Sequence, residues 1–241
     1  MKVEVWSDFA CPFCYIGKRR LEQALSQFEH GDQVEVEFKS FELDPNAPVE
    51  IEHDVYDYLS KKYGMSREQA ISNNVQLTQQ AKALGLDYHF DTMILTNTFD
   101  AHQLTHFAAK YGKREEMAER LFKAYFTDSK HLGRKETLAD LAAEIGLDRE
   151  EALKAIEDSS YTKEVRSDEQ EAGQLGVRGV PFFVIDRKYA VSGAQPSEVF
   201  LQAVSKAWEE SKPLTVIGGD GETNGTDEAC ADGVCSPNSN K

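Results

Sequence analysis

No run of about 18 apolar residues occurs in the chain, so no segment has the length to cross a bilayer as a helix. Positive charge is in deficit: 27 Lys and Arg stand against 42 Asp and Glu, a formal net charge of −15. With the cations dispersed among the acids there is no phosphate-binding stripe, which argues against a nucleic-acid partner, and acidity of this size serves solubility. The N-terminus, Met1-Lys2-Val3-Glu4-Val5-Trp6-Ser7-Asp8, lacks the apolar core of a secretory signal and enters a strand at once, so a cytoplasmic protein without membrane attachment is expected. Cysteine is scarce, four in 241 residues, and 40% apolar content over that length buries a core that folds without disulfide staples. In a reducing compartment, four cysteines in two close pairs fit transient or catalytic disulfides better than permanent ones.

The first pair is Cys11-Pro12-Phe13-Cys14, which follows a short apolar strand, Val3 to Trp6, and opens an amphipathic helix. Proline at the first helical position needs no amide donor and has its φ already set, so Cys11 falls at the cap and Cys14 one turn in. Cys11 then faces unpaired amides and the positive helix end, both of which stabilise a thiolate over a thiol. Cys14, within one turn, is spaced to attack a mixed disulfide formed on Cys11 and release the partner reduced. The competing readings are weaker. Zinc needs two further Cys or His ligands at suitable spacing, and the other pair, Cys230 and Cys235, lies in a polar tail. A structural disulfide across so short a loop would restrict the unfolded chain only slightly.

Beyond the motif, Leu21, Leu25 and Phe28 recur at helical spacing, with an end near His30-Gly31. Val34, Val36 and Phe38 alternate with Glu35, Glu37 and Lys39 as in a half-buried strand running on toward Phe41 and Leu43. From Pro45 to about Gly176 the periods are helical. Ser66-x-x-Gln69 is a capping box whose helix stops at Gly85, Asn97 or Thr98 opens another that stops at Gly112, and Asp148-x-x-Glu151 starts a later one. Strands return in Val177 to Asp186, a glycine turn and an apolar run, and in Tyr189 to Ser192. A last helix carries Val199, Phe200, Ala203, Val204 and Ala207, and Lys212-Pro213 closes it. Leu214 to Ile217 is expected as a docked extended piece and the Gly-, Asn-, Asp- and Ser-rich remainder as a mobile tail.

A strand leading into C-x-x-C, a helical insertion, and Val180-Pro181 before two strands and a helix resemble the DsbA-type branch of the thioredoxin superfamily. More narrowly, Ser7 to Gly17, Asn97-Thr98 with Ala101-His102, Gly176 to Phe183 and Gly193-Ala194-Gln195 are similar to the FrnE-like oxidoreductases. The resemblance implies an α/β thioredoxin-like fold with a large all-helical insertion: residues 1–43 and 177–213 as the thioredoxin-like domain, 44–176 as the insertion, 214–241 as a C-terminal extension. It implies a thiol-disulfide oxidoreductase with Cys11 as nucleophile and Cys14 resolving, a cis peptide at Val180-Pro181, and a substrate site of Pro12, Phe13, Val180, Pro181 and His102. The alternative from the same branch is a glutathione-dependent isomerase or kappa-class-like glutathione transferase. Those relatives typically carry serine where Cys11 stands, so cysteine at both positions favours dithiol exchange. No cofactor is expected beyond the redox-active disulfide, with glutathione as a candidate co-substrate. The expected partners are protein or small-molecule thiols and disulfides, with glutathione or a thioredoxin-type protein as reductant.

Other residues carry more than one reading. His102 and His106 share a helix face, but no H-E-x-x-H accompanies them and no metal site is expected; His106 is expected to pack and His102 to line the cleft. Phe9, Tyr15, Phe182 and Phe183 are expected to cluster round the motif as core, and Phe13 to be exposed toward an apolar substrate segment. Arg178 either holds an anionic partner or is a solvated loop arginine. Cys230 and Cys235 form an accessory redox pair in one reading, since a flexible tether of about 17 residues spans roughly 20 to 25 Å and reaches a cleft on the same domain. A tail disulfide without function, two free thiols, or an adventitious metal site are the other readings.

Overall fold

A computed structural model describes residues 1–211 together with Cys230–Ala231 and Val234–Cys235. The chain opens with β1 (Lys2–Ser7), α1 (Pro12–Gln27) and β2 (Glu35–Ser40), with β2 parallel to β1 and Val5 opposite Phe38. After a helical region it closes with β3 (Phe182–Ile185), β4 (Tyr189–Ser192) and α9 (Ser197–Ser211). β3 runs antiparallel to β1 and β4 antiparallel to β3, giving the order β2-β1-β3-β4. β1 therefore lies inside the sheet, and all of it after Lys2 is buried.

Successive side chains of a strand point to opposite faces, and the two inner strands sort accordingly. Val3, Val5, Phe183 and Ile185 join the core with Ile16 and Leu21 of α1 and Phe200 and Val204 of α9. Trp6 and Val184 face the other way, onto Ala172 of α8 (Thr162–Gln174) and Val177, and the Trp6 indole donates to the Asp168 carbonyl at 2.9 Å.

Between β2 and β3 the chain forms α2 (Val55–Tyr63), α3 (Arg67–Lys82), α4 (Phe99–Ala109), α5 (Arg114–Phe126), α6 (Lys135–Glu144), α7 (Arg149–Glu157) and α8. The capping box of α3 is formed reciprocally between Ser66 and Gln69, and Asp148 caps α7 by accepting from the Glu151 amide. α4 is buried from Ala101 to Ala108, as befits the central helix of this layer.

Three boundaries differ from the sequence expectation. β2 stops at Ser40, short of Leu43: Phe41 N–H still reaches the Ser7 carbonyl at 3.2 Å, but beyond it side chains take over the backbone donors, Glu169 accepting from Glu42 N–H at 3.3 Å and Asp8 from Leu43 N–H at 2.8 Å. α1 ends at Gln27, before His30-Gly31, and the chain doubles back so tightly that a Cβ at Gly31 would lie 2.1 Å from the Leu25 carbonyl oxygen. β3 is confined to Phe182–Ile185, since Pro181 has no N–H to give a ladder.

Met1–Ser211 is one compact unit and Lys212–Lys241 a second. In the second, β5 (Cys230–Ala231) pairs antiparallel with β6 (Val234–Cys235), Cys230 opposite Cys235. The readings of Leu214 to Ile217 and of the rest of the tail lie outside the described residues, as do the side chains of Cys230 and Cys235.

Candidate active site

The end of β1 delivers Asp8, Phe9 and Ala10 to the start of α1. Cys11 is the N-cap in extended conformation (φ −95°, ψ 110°), Pro12 stands at the first helical position, and the Cys11 amide closes a turn on the Asp8 carbonyl at 3.0 Å. Pro12 thus starts the helix without leaving a donor unpaired. Cys11 and Cys14 are both buried, whereas Phe13 between them is 48% exposed. Burial pushes the Cys14 thiol well up, and the neighbouring Cys11 and the charge of Asp8 push it further.

The Val180–Pro181 peptide is cis, and the Cys11 thiol points at the Val180 carbonyl with Sγ 3.6 Å from the oxygen. Gly17 permits this approach of helix and loop: a Cβ there would lie 3.0 Å from both Pro181 Cγ and Phe183 Cζ. The Gly193-Ala194-Gln195 turn fastens the loop from behind, through Gly193 N–H to the Pro181 carbonyl at 2.8 Å and Arg20 to the Ala194 carbonyl.

Two residues that sequence reasoning left without a role hold the motif in place: Asp8 within the motif segment and Tyr88 from the helical region. Asp8 accepts from the Thr98 hydroxyl at 2.7 Å, the Leu43 amide at 2.8 Å and the Ala10 amide at 3.2 Å. Burial pushes the Asp8 carboxyl up, but His102, the Leu43 amide and the Thr98 hydroxyl more than offset it and keep the group below its ordinary value. Thr98 is the N-cap of α4, yet its hydroxyl goes to Asp8, and Asn97 supplies the capping bond to Phe99 N–H at 2.8 Å. Tyr88 donates its hydroxyl to the Pro12 carbonyl at 2.7 Å, across 76 residues of sequence. Burial, and then the neighbouring Cys11, Tyr15 and Cys14, push its phenol far up, so it stays a donor. Asp8 and Gly17 sit inside the motif segment and could have been flagged there; nothing local marks Tyr88 as a partner of Pro12.

His102 is 2% exposed, packed at a tilt against Phe9 with ring centroids 4.8 Å apart and Nε2 3.6 Å from Asp8, and is not among the cleft-lining residues. It therefore faces the back of Asp8, because Thr98 and Asp8 close the wall in front of it. His106 is tied to Ser40 and Asp168, each at 3.1 Å. Phe9 and Tyr15 pack on Phe122 and Phe183 on Phe200, while Phe182 lies on the Trp6 side of the sheet, away from the motif. Arg178 is exposed.

Beside Cys11, Pro12 and Phe13 opens a cavity of about 780 Å³, walled by α2, α3 and the segments around Leu43 and Leu95. Val180 and Pro181 do not line it. The arrangement offers one sulfur at a helix start, a second sulfur behind it as a thiol, a loop carbonyl against the first, and an apolar chamber next to the first sulfur.

The family model described as "DSBA-like thioredoxin domain" matches residues 2–205. The uncharacterized protein YwbO of Bacillus subtilis (strain 168) is 31% identical over 205 residues, spanning 84% of this chain and 95% of that one. The crystal structure of a probable DsbA oxidoreductase, SCO1869 from Streptomyces coelicolor, is similar with a TM-score of 0.85 and 44% identity, over 99% of this chain and 100% of that one. The cytosolic disulfide reductase DsbM from Pseudomonas aeruginosa aligns over 88% of this chain and 100% of its own with a TM-score of 0.62; at 14% identity the likeness is one of fold.

Proposed function

Because the chain belongs to the DSBA-like thioredoxin domain family, we propose that it is a thiol-disulfide oxidoreductase working through Cys11-Pro12-Phe13-Cys14, with Cys11 as nucleophile and Cys14 as resolving thiol. The observation that carries the assignment of roles is the asymmetry of the pair. Cys11 caps α1 with its sulfur beside the Val180 carbonyl, while the Cys14 thiol is buried one turn in and raised by that burial. A nucleophile must be the sulfur that gains from the helix end, and the sulfur that waits as a thiol resolves afterwards.

In the forward sense Cys11 attacks a substrate disulfide and becomes bonded to one half while the other leaves as thiolate. Cys14 loses its proton and attacks the Cys11 sulfur, so the second half leaves and the Cys11–Cys14 disulfide forms. Pro12, Phe13, Val180 and Pro181 are the proposed substrate contacts, and His102 supports them through Asp8. The reading carries with it a reducing, cytoplasmic setting and an external thiol as reductant, glutathione or a thioredoxin-type protein among them. Cys230 and Cys235 remain within the proposal as an accessory redox pair.

The test is insulin reduction with a dithiol as electron donor. Cys11→Ser should abolish it, and Cys14→Ser should accumulate mixed disulfides on Cys11 that mass spectrometry identifies. Activity that survives Cys11→Ser, or adducts that collect on Cys14 in the wild type, would overturn the assignment.

A further inference from the structure

The chamber beside Cys11 is one-sided in its chemistry. Its volume of about 780 Å³ falls in the range of sites for small molecules, roughly 300 to 1,000 Å³. Leu43, Val55, Leu59, Leu77, Phe90 and Met93 supply apolar wall from four different segments, with Cys11 at one place on it. Among the described residues the charged groups of the lining are Asp8, Asp44 and Lys62, two acids against one base. Lys62 is already engaged, donating to the Tyr58 hydroxyl at 3.0 Å with Asp44 close enough to act on its charge.

We infer that this chamber admits a neutral, apolar, low-molecular-weight disulfide to Cys11 and discriminates against glutathione disulfide; the inference rests on the function proposed above and names its substrate class. Apolar surface gains by leaving water. Glutathione disulfide would have to bring carboxylates and ammonium groups into the chamber, where each loses hydration and its net negative charge meets Asp8 and Asp44. The reaction balances with the protein as two-electron donor. The Cys11 thiolate attacks one sulfur of RS–SR, the substrate S–S bond breaks, a Cys11–S–S–R bond forms, and RS⁻ departs with the bonding pair. Cys14 gives up its proton and attacks Cys11 Sγ, so the Cys11–Cys14 bond forms and the second RS⁻ leaves; an added dithiol such as dithiothreitol restores the starting state.

The experiment uses the full chain in its dithiol form and three probes: dipyridyl disulfide, neutral and aromatic; dithiobis(nitrobenzoate), aromatic and dianionic; and glutathione disulfide. Each second-order rate is divided by that of the same probe with N-acetylcysteine, which removes intrinsic reactivity. The normalised rate for dipyridyl disulfide should exceed both others by at least about tenfold, the scale on which an apolar pocket discriminates. Leu77→Trp and Leu59→Trp, two half-buried positions that fill the chamber from different helices, should each erase most of that advantage relative to iodoacetamide alkylation of Cys11. Asp44→Lys at the rim should raise the dianionic probe against the neutral one. Equal normalised rates, a preference for glutathione disulfide, or folded tryptophan variants with the advantage intact would overturn the inference. Insulin reduction is measured in parallel: if it proceeds while the preference is missing, only the substrate class falls, whereas failure with insulin and all three probes removes the oxidoreductase reading itself.

Discussion

At the scale of single residues the site is governed by who shares charge with whom. Asp8 is buried yet kept ionised by His102, Leu43 and Thr98, and its charge is one of the influences that raise the Cys14 thiol. Removing that charge should lower the pH at which Cys14 ionises. In a Cys11→Ser background, where Cys14 titrates alone, adding Asp8→Asn should move the midpoint of Cys14 alkylation by iodoacetamide downward. A midpoint that stays put or rises would show that Asp8 holds the loop together without acting on the sulfur. Cys11 and Cys14 were legible as a pair from spacing and the proline between them, since those fix the helix start. Tyr88 was not, because a hydroxyl meeting a carbonyl 76 residues away leaves no local trace.

Among the elements, α1 matters most, because everything at the site is placed by where it begins and what it leans on. Its contact with the Val180–Pro181 loop has no room to spare at Gly17. Gly17→Ala gains up to about 1 kcal/mol in helix propensity but forces apart side chains already at contact, at about 1–3 kcal/mol for overpacking. A net loss of about 1 kcal/mol in urea unfolding is expected; a variant more stable than wild type would show that Pro181 and Phe183 yield without cost.

α1 is also fastened to α5 by Lys18, Arg19 and Tyr15 around Glu119. Burial pushes the Glu119 carboxyl up, but Arg19 above all, then Lys18 and Tyr15, overrule it and hold it at about 2, against an ordinary 4.5. A carboxylate depressed on folding gives stability that is fully present above the unfolded value and is lost as pH falls through the folded one. The stability gap between wild type and Glu119→Gln should therefore be open at neutral pH and close between 4.5 and about 2. Urea midpoints across that range check it, and a gap that widens on acidification would contradict the ion cluster.

For the whole molecule, Met1–Ser211 closes on itself as one unit, so truncation after Pro213 should leave folding and Cys11 alkylation intact. Its melting temperature is expected within about 2 °C of the full chain, equivalent to less than about 1 kcal/mol for a domain of this size. If Cys230 and Cys235 relay electrons, the same truncation changes turnover with dithiol reductants; equal turnover removes them from the cycle.

The sequence by itself determined the order of elements, the position of the helix start and the chemistry of the motif. Those follow from local rules: alternation along β1 and β2, proline after the cap, Ser66 and Asp148 capping their own helices, cysteines one turn apart. It did not determine how β2 ends, which side of the sheet Phe182 takes, or what surrounds Cys11. Glu42 and Leu43 leave the ladder because Glu169 and Asp8 arrive from elsewhere in the chain to take their amides. The cis form of Val180–Pro181 was implied by family resemblance alone, since X-Pro bonds in folded proteins are cis only about 5–6% of the time. The chamber is decided wholly by tertiary structure, because its wall is assembled from residues between Asp8 and Tyr125, and no single segment carries a pattern that announces a shared cavity.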